Sequence, residues 1–144
     1  MIYLDTSMLV SLHIRDVNTL AAIALIRDAG EPLLISSLVE LEALNAFNLR
    51  LFRNEMSPLE RDHAIQDLCD DIQAGVLTLE PIPDSAYTHA KALAQTLPQT
   101  IGFHPVHLLH VAAAIELGAG SFFTFDRKQH QTALAAGLAV NLLA

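Results

Sequence analysis

Asp5, Glu42 and Asp126 are the residues of this sequence whose placement points to chemistry, and that chemistry is the binding of a hard divalent cation. Asp5 follows the apolar triplet Ile2-Tyr3-Leu4, and Asp126 follows Ser121-Phe122-Phe123-Thr124-Phe125, the clearest strand signal in the chain. A helical pattern comes after each, so both occupy positions where strands of an open parallel sheet face a crevice. Asp is also a favoured helix N-cap, which would account for either residue alone. Two in equivalent places favour a shared site. Glu42 lies on a helical stripe with Asn45, Ala46, Leu49 and Arg53, and on so apolar a face a carboxylate belongs either at the core rim with a partner or at a solvated edge. Glu40 is about 200° around the same helix and has capping-box spacing from Ser37, which excludes it from the site. A carboxylate cluster repels itself when empty and becomes favourable around an ion. Water activated by that ion would make a nucleophilic side chain unnecessary.

The elements that must position these groups alternate along the chain. Ile2–Leu4 reads as a strand, and Asp5-Thr6-Ser7 caps a helix over Met8–Leu12. Helical spacing over Val17–Arg27 ends at Ala29-Gly30-Glu31-Pro32, before the apolar Leu33-Leu34-Ile35. A long helix is predicted over Leu38–Arg53, and Ser57-Pro58 opens the next, which runs to Gln73. Val76–Glu80 is a short strand, and Asp84–Leu97 a helix bounded by Pro81 and Pro83. Pro105 starts a helix through Leu117; Ser121–Phe125, a helix from Asp126 and a last strand at Leu138–Val140 complete the chain. The alternation predicts a mainly parallel sheet covered by helices on both faces.

Bulk properties narrow the setting. At 144 residues, 52% apolar and 17% charged, the chain suits one domain able to bury a core, and disorder is excluded. No apolar run approaches the roughly 18 residues of a membrane helix. The lone Cys69, and an opening Met1-Ile2-Tyr3-Leu4-Asp5 without a basic segment and apolar stretch, fit a cytoplasmic protein. A net charge of −8 argues against broad, charge-driven binding to nucleic acid, so any such partner must be met locally. Arg50, Arg53, Arg127 and Lys128 are the cations nearest the predicted crevice, with spacing favouring Arg53, although each also reads as an ordinary surface charge.

The blocks Ile2-Tyr3-Leu4-Asp5-Thr6-Ser7, Ile35-Ser36-Ser37-Leu38-Val39-Glu40-Leu41-Glu42-Ala43-Leu44-Asn45 and Phe123-Thr124-Phe125-Asp126 resemble, in order and spacing, the signature blocks of PIN-domain proteins. Leu108–Ala119 is similar to the helix that precedes the last of them. The resemblance spans essentially the whole chain and implies a three-layer α/β/α fold with a central, mainly parallel sheet of four or five strands, as one domain over residues 1–144. It implies a metal-dependent nuclease, most often a toxin ribonuclease of the VapC type paired with an antitoxin, using Mg²⁺ or Mn²⁺. Asp5, Glu42 and Asp126 match the family's metal-binding carboxylates. Thr6 matches a hydroxyl beside the first, Thr124 the Ser or Thr near the last, and Asn45 is a supporting group. Amphipathic helices further suggest a homodimer, with the antitoxin laid across the crevice.

The match has a departure. The family usually places an Asp in the first turn of the helix before the last strand, often with an Arg three residues earlier; here these are His107 and His104. An imidazole in place of a carboxylate removes a charge and favours Zn²⁺, Mn²⁺ or other transition metals over Mg²⁺. His104, His107 and His110 recur every third residue, but each step rotates by about 60°, so the outer two diverge by about 120° and cannot all face one ion. His107 is therefore read as the modified fourth member of the metal set, His104 as a neighbour supporting it, and His110 as a hydrogen-bonded residue at the core edge. The alternative to an endoribonuclease is a PIN-like module that binds RNA or protein with weakened hydrolysis because of His107. Metal-site residues alone do not separate RNA from DNA as substrate.

Overall fold

The computed structural model describes residues 1–143. Five strands form one sheet in the order β3-β2-β1-β4-β5, with every pairing parallel: β1 is Ile2–Leu4, β2 Leu33–Ser36, β3 Leu77–Glu80, β4 Ser121–Phe123 and β5 Ala139–Val140. Among the described residues seven helices join them: α1 Thr6–His13, α2 Thr19–Ala29, α3 Ser37–Phe52, α4 Pro58–Gln73, α5 Asp84–Thr96, α6 Pro105–Glu116 and α7 Arg127–Ala135. Residues of β1, β2 and β4 such as Ile2, Leu4, Leu34, Ile35 and Phe122 are fully buried or nearly so, as expected of central parallel strands covered on both faces. The strongest helix contacts fall into two groups, α1 with α2, α3 and α4, and α6 with α5 and α7. No helix among the described residues is long and apolar enough to cross a membrane.

Strand order decides where the site can be. From β1 the chain winds outward through β2 to β3, whereas β4 returns to the other side of β1 and continues to β5. Connections therefore diverge between β1 and β4, leaving a crevice at their carboxyl ends. Leu4 pairs with Phe123 at that edge, and Asp5 N–H donates to the Phe123 carbonyl at 3.1 Å, which ties the two carboxylate-bearing turns together.

Local chemistry moved several boundaries. Strand β4 stops at Phe123 rather than Phe125, because Thr124 N–H donates to Asn141 Oδ1 at 2.8 Å and Phe125 N–H to Ser7 Oγ at 2.9 Å, outside any strand ladder. Helix α2 starts at Thr19 rather than Val17, since Thr19 Oγ1 accepts from Asp16 N–H and donates to the Ile14 carbonyl, both at 2.9 Å. The Ser37–Glu40 capping box does not form. Ser36 is the N-cap of α3 and accepts from Val39 N–H, while Ser37 Oγ accepts from Ile82 N–H at 3.0 Å. The predicted stop after α2 is present as Gly30 at φ 60°, a left-handed turn that glycine adopts without strain.

Candidate metal centre and cleft

Asp5, Glu42, Asp126 and His107 all line one cleft of about 840 Å³, together with Thr6 and His104. Each reaches it through a different local device. Asp5 is the N-cap of α1 and only 5% exposed; its Oδ1 accepts from Met8 N–H at 3.0 Å and Ser7 Oγ at 2.7 Å, and its Oδ2 from Thr124 Oγ1 at 2.5 Å. Burial nonetheless prevails over these hydrogen bonds and pushes the Asp5 carboxyl above the ordinary range. Asp126 caps α7 through Gln129 N–H at 2.9 Å and is far more open, with 44% of its side chain exposed. The two Asp residues thus cap helices and line the cleft at once, so the two roles weighed for them coexist.

Glu42 projects from α3. Its Oε1 accepts from Thr6 Oγ1 at 2.9 Å and from His110 Nε2, while no group among the described residues donates to Oε2. Burial raises the Glu42 carboxyl, but the His110 and Thr6 hydrogen bonds outweigh it and leave the group below its usual value. His107 Nε2 stands 3.9 Å from Asp126 Oδ2, and its Nδ1 is buried without a hydrogen-bond partner. Burial, reinforced by His104 and His110, holds the His107 imidazole below its ordinary value against the pull of Asp126. The dipole of α6, positive at its start, acts in the same direction.

The donor set suits a hard or borderline divalent ion: three carboxylates with unpartnered oxygens on Glu42 and Asp126, plus an imidazole. Among the described residues, however, no three His, Cys, Asp or Glu side chains stand close enough together to hold an ion. The cleft therefore presents converging donors rather than a closed cage.

Other expected members are distributed unevenly. Thr124 is fully buried beneath the cleft; it donates to Asp5, accepts from Asp126 N–H at 2.9 Å, and so couples the two carboxylate turns. His104 lies edge-on to His107, with ring centroids 5.3 Å apart, and contacts Lys128 Nζ at 3.3 Å. Arg50 and Arg53 line the cleft, Arg50 lying 3.6 Å from Asp16. Two expectations need correcting. Asn45, three residues past Glu42, is exposed and outside the cleft lining, because a three-residue step turns it to the flank of α3. Arg127 lines a separate groove with Phe125 and Leu142, and Lys128 takes the place by the cleft.

Three further residues brace the cleft. Ser7 bonds Asp5 and Phe125 N–H, and it lies in the quoted Asp5-Thr6-Ser7 block, where its type could have flagged it. Gln129, 1% exposed, donates to the His107 carbonyl at 3.1 Å, and Asn141 bridges both backbone groups of Thr124. Neither has a local sequence signal.

A family model described as the PIN domain matches residues 2–134. No curated protein sequence matches the chain. Among solved structures, the chain is similar to VapC20 from Mycobacterium tuberculosis, a sarcin–ricin-loop-cleaving toxin, with 18% identity, 96% of each chain covered and a TM-score of 0.69. It is likewise similar to FitAcB from Neisseria gonorrhoeae, with 17% identity, 99% of this chain and 97% of that chain covered and a TM-score of 0.67. At such identities these structures speak for the fold alone, and the fold agrees.

Proposed function

Since the chain belongs to the PIN-domain family, we propose that it is a divalent-metal-dependent endoribonuclease, the toxin of a toxin–antitoxin pair, formed as one domain over residues 1–144. The observation that carries this reading is that Asp5, Glu42 and Asp126, from three distant parts of the chain, line one cleft at the sheet's switch point. Asp5, Glu42, Asp126 and His107 would hold the ion, Mg²⁺ or Mn²⁺, with His107 extending the range to Zn²⁺ and other transition metals. When bound, the ion would supply an activated water and stabilise charge developing on the scissile phosphate.

The protein's own groups do the rest. Thr6 and His110 hold one oxygen of Glu42; Thr124 and Ser7 hold both oxygens of Asp5. Arg53 and Lys128, with Arg50 behind them, offer cations on the cleft wall to neighbouring phosphates. Arg53 makes no ion pair among the described residues, so Arg53→Ala should weaken RNA binding across sequences and reduce the salt slope of log K by about 1. Filter binding between 50 and 200 mM salt would check this; an unchanged slope would place Arg53 outside the substrate path.

The RNA preference and the antitoxin partner are inferred from membership of the PIN-domain family. A homodimer would need an apolar surface, and the groove of about 560 Å³ lined by Tyr87, Ala90, Phe103, Val106 and Leu109, along α5 and α6, offers one. The exposed, unpaired Cys69 suits a reducing cytoplasm. An imidazole at His107, where the family usually has an Asp, favours one second reading, an RNA- or protein-binding PIN module with weakened hydrolysis. Cleavage of short RNA with Mn²⁺ that stops in EDTA supports the nuclease. RNA binding without cutting, under Mg²⁺, Mn²⁺ or Zn²⁺, supports the module.

A further inference from the structure

Glu42 is oriented by groups outside the carboxylate set. His110 is 3% exposed on the buried face of α6, and its Nε2 meets Glu42 Oε1. Its Nδ1 lies 3.0 Å from the Tyr3 hydroxyl, which in turn lies 2.7 Å from Ser36 Oγ. Ser36 is the N-cap of α3, the helix that carries Glu42. The polar chain therefore runs from the start of α3 through β1 and α6 and back to α3, within a buried interior where the Tyr3 ring stacks on Phe122. Ser36 and His110 are buried polar groups whose cost is offset only by partners.

The donors can be assigned. Nε2 faces a carboxylate oxygen and must donate; Nδ1 then accepts from Tyr3, and Tyr3 accepts from Ser36. Each hydrogen finds an acceptor in that order. In the reverse order the Ser36 hydroxyl hydrogen has none among the described residues, since the other partner of Ser36 Oγ, Val39 N–H at 3.4 Å, is itself a donor.

We propose that His110 is a positioning residue: it fixes Glu42 through Oε1, leaving Oε2 as the unpartnered oxygen for a divalent ion, and Tyr3 and Ser36 lock the His110 tautomer that makes this contact. The inference rests on the metal-site reading above. Thr6 shares the grip on Oε1 at 2.9 Å, so loss of His110 loosens Glu42 without releasing it.

The test uses Mn²⁺ alone, titrated by calorimetry into the whole protein. His110→Leu should weaken Mn²⁺ binding by about 10–100-fold, the usual effect of removing a group that orients a ligand. His110→Gln, whose amide N–H replaces Nε2–H, should recover most of that loss. Tyr3→Phe keeps the ring stacked on Phe122, 5.2 Å away; it should weaken Mn²⁺ less and move the His110 ¹⁵N signals away from the Nε2–H tautomer. Leu68→Ala, a buried change on α4, serves as the stability control and should lower the melting temperature with Mn²⁺ affinity unchanged. Wild-type affinity in His110→Leu, or a Gln variant as weak as the Leu variant, would overturn the positioning role and leave the metal site standing. A wild-type protein that binds no Mn²⁺, or an Asp5→Asn variant that binds it unchanged, would overturn the metal site and this inference together.

Discussion

Asp5→Asn should abolish cleavage and, in the absence of metal, make the protein more stable at neutral pH. The first effect follows from losing the carboxylate at the meeting point of β1 and β4; a loss of about 10³-fold or more corresponds to about 4 kcal/mol of barrier. The second follows from burial, which pushes the Asp5 carboxyl up although Thr124, Met8 and Ser7 all donate to it. For an acid whose folded pKa is raised, the native state holds more protons than the unfolded chain between the two values. Stability therefore falls as pH rises through the folded value, and an uncharged Asn escapes that loss. Asn also retains an oxygen for the Met8 N–H, so the cap on α1 survives. Thermal melts in EDTA should show the variant ahead of wild type at pH 7 by roughly 3 °C for each 1 kcal/mol, with the gap closing as pH falls towards the ordinary carboxylate range. A variant less stable than wild type at pH 7 would show that the hydrogen bonds, rather than burial, dominate at Asp5.

His107→Asp should convert the metal preference. Burial holds the imidazole below its ordinary value, its Nε2 stands 3.9 Å from Asp126 Oδ2, and its Nδ1 has no hydrogen-bond partner among the described residues. A carboxylate there adds a charge and a hard oxygen donor, which favours Mg²⁺. The Mg²⁺ concentration for half-maximal cleavage should drop by about tenfold, or about 1.4 kcal/mol of binding. Without metal the same substitution puts like charges side by side, so the melting temperature in EDTA should fall and Mg²⁺ should restore it. An unchanged Mg²⁺ titration would mean that residue 107 does not touch the ion.

What sequence made legible was local. Asp5 and Asp126 are readable because the N-cap and the strand end are both encoded within a few residues of each carboxylate, and α6 because Pro105 opens it and Gly118 closes it. Glu42 emerged from helical spacing and family likeness, although the same spacing wrongly brought Asn45 along. The Ser37 capping box failed for a related reason: two adjacent serines compete for one N-cap, and contact with Ile82 from a distant segment decides which takes it. Tyr3 looked like one more apolar strand residue. Its role depends on Ser36 and His110, which approach only when β1, α3 and α6 have packed, and no pattern within a single element records that. Asn141 is similar, since it replaces a missing ladder partner for Thr124 from beyond β5.

The central claim is that Asp5, Glu42 and Asp126, with His107, bind one divalent-metal centre in this cleft. Anomalous scattering from crystals grown with Mn²⁺ tests it most directly. A Mn²⁺ peak bounded by these carboxylates and lost in Asp5→Asn crystals is expected; a cleft without Mn²⁺ at saturating concentration, or an ion bound away from Glu42 and Asp126, would contradict a metal centre here.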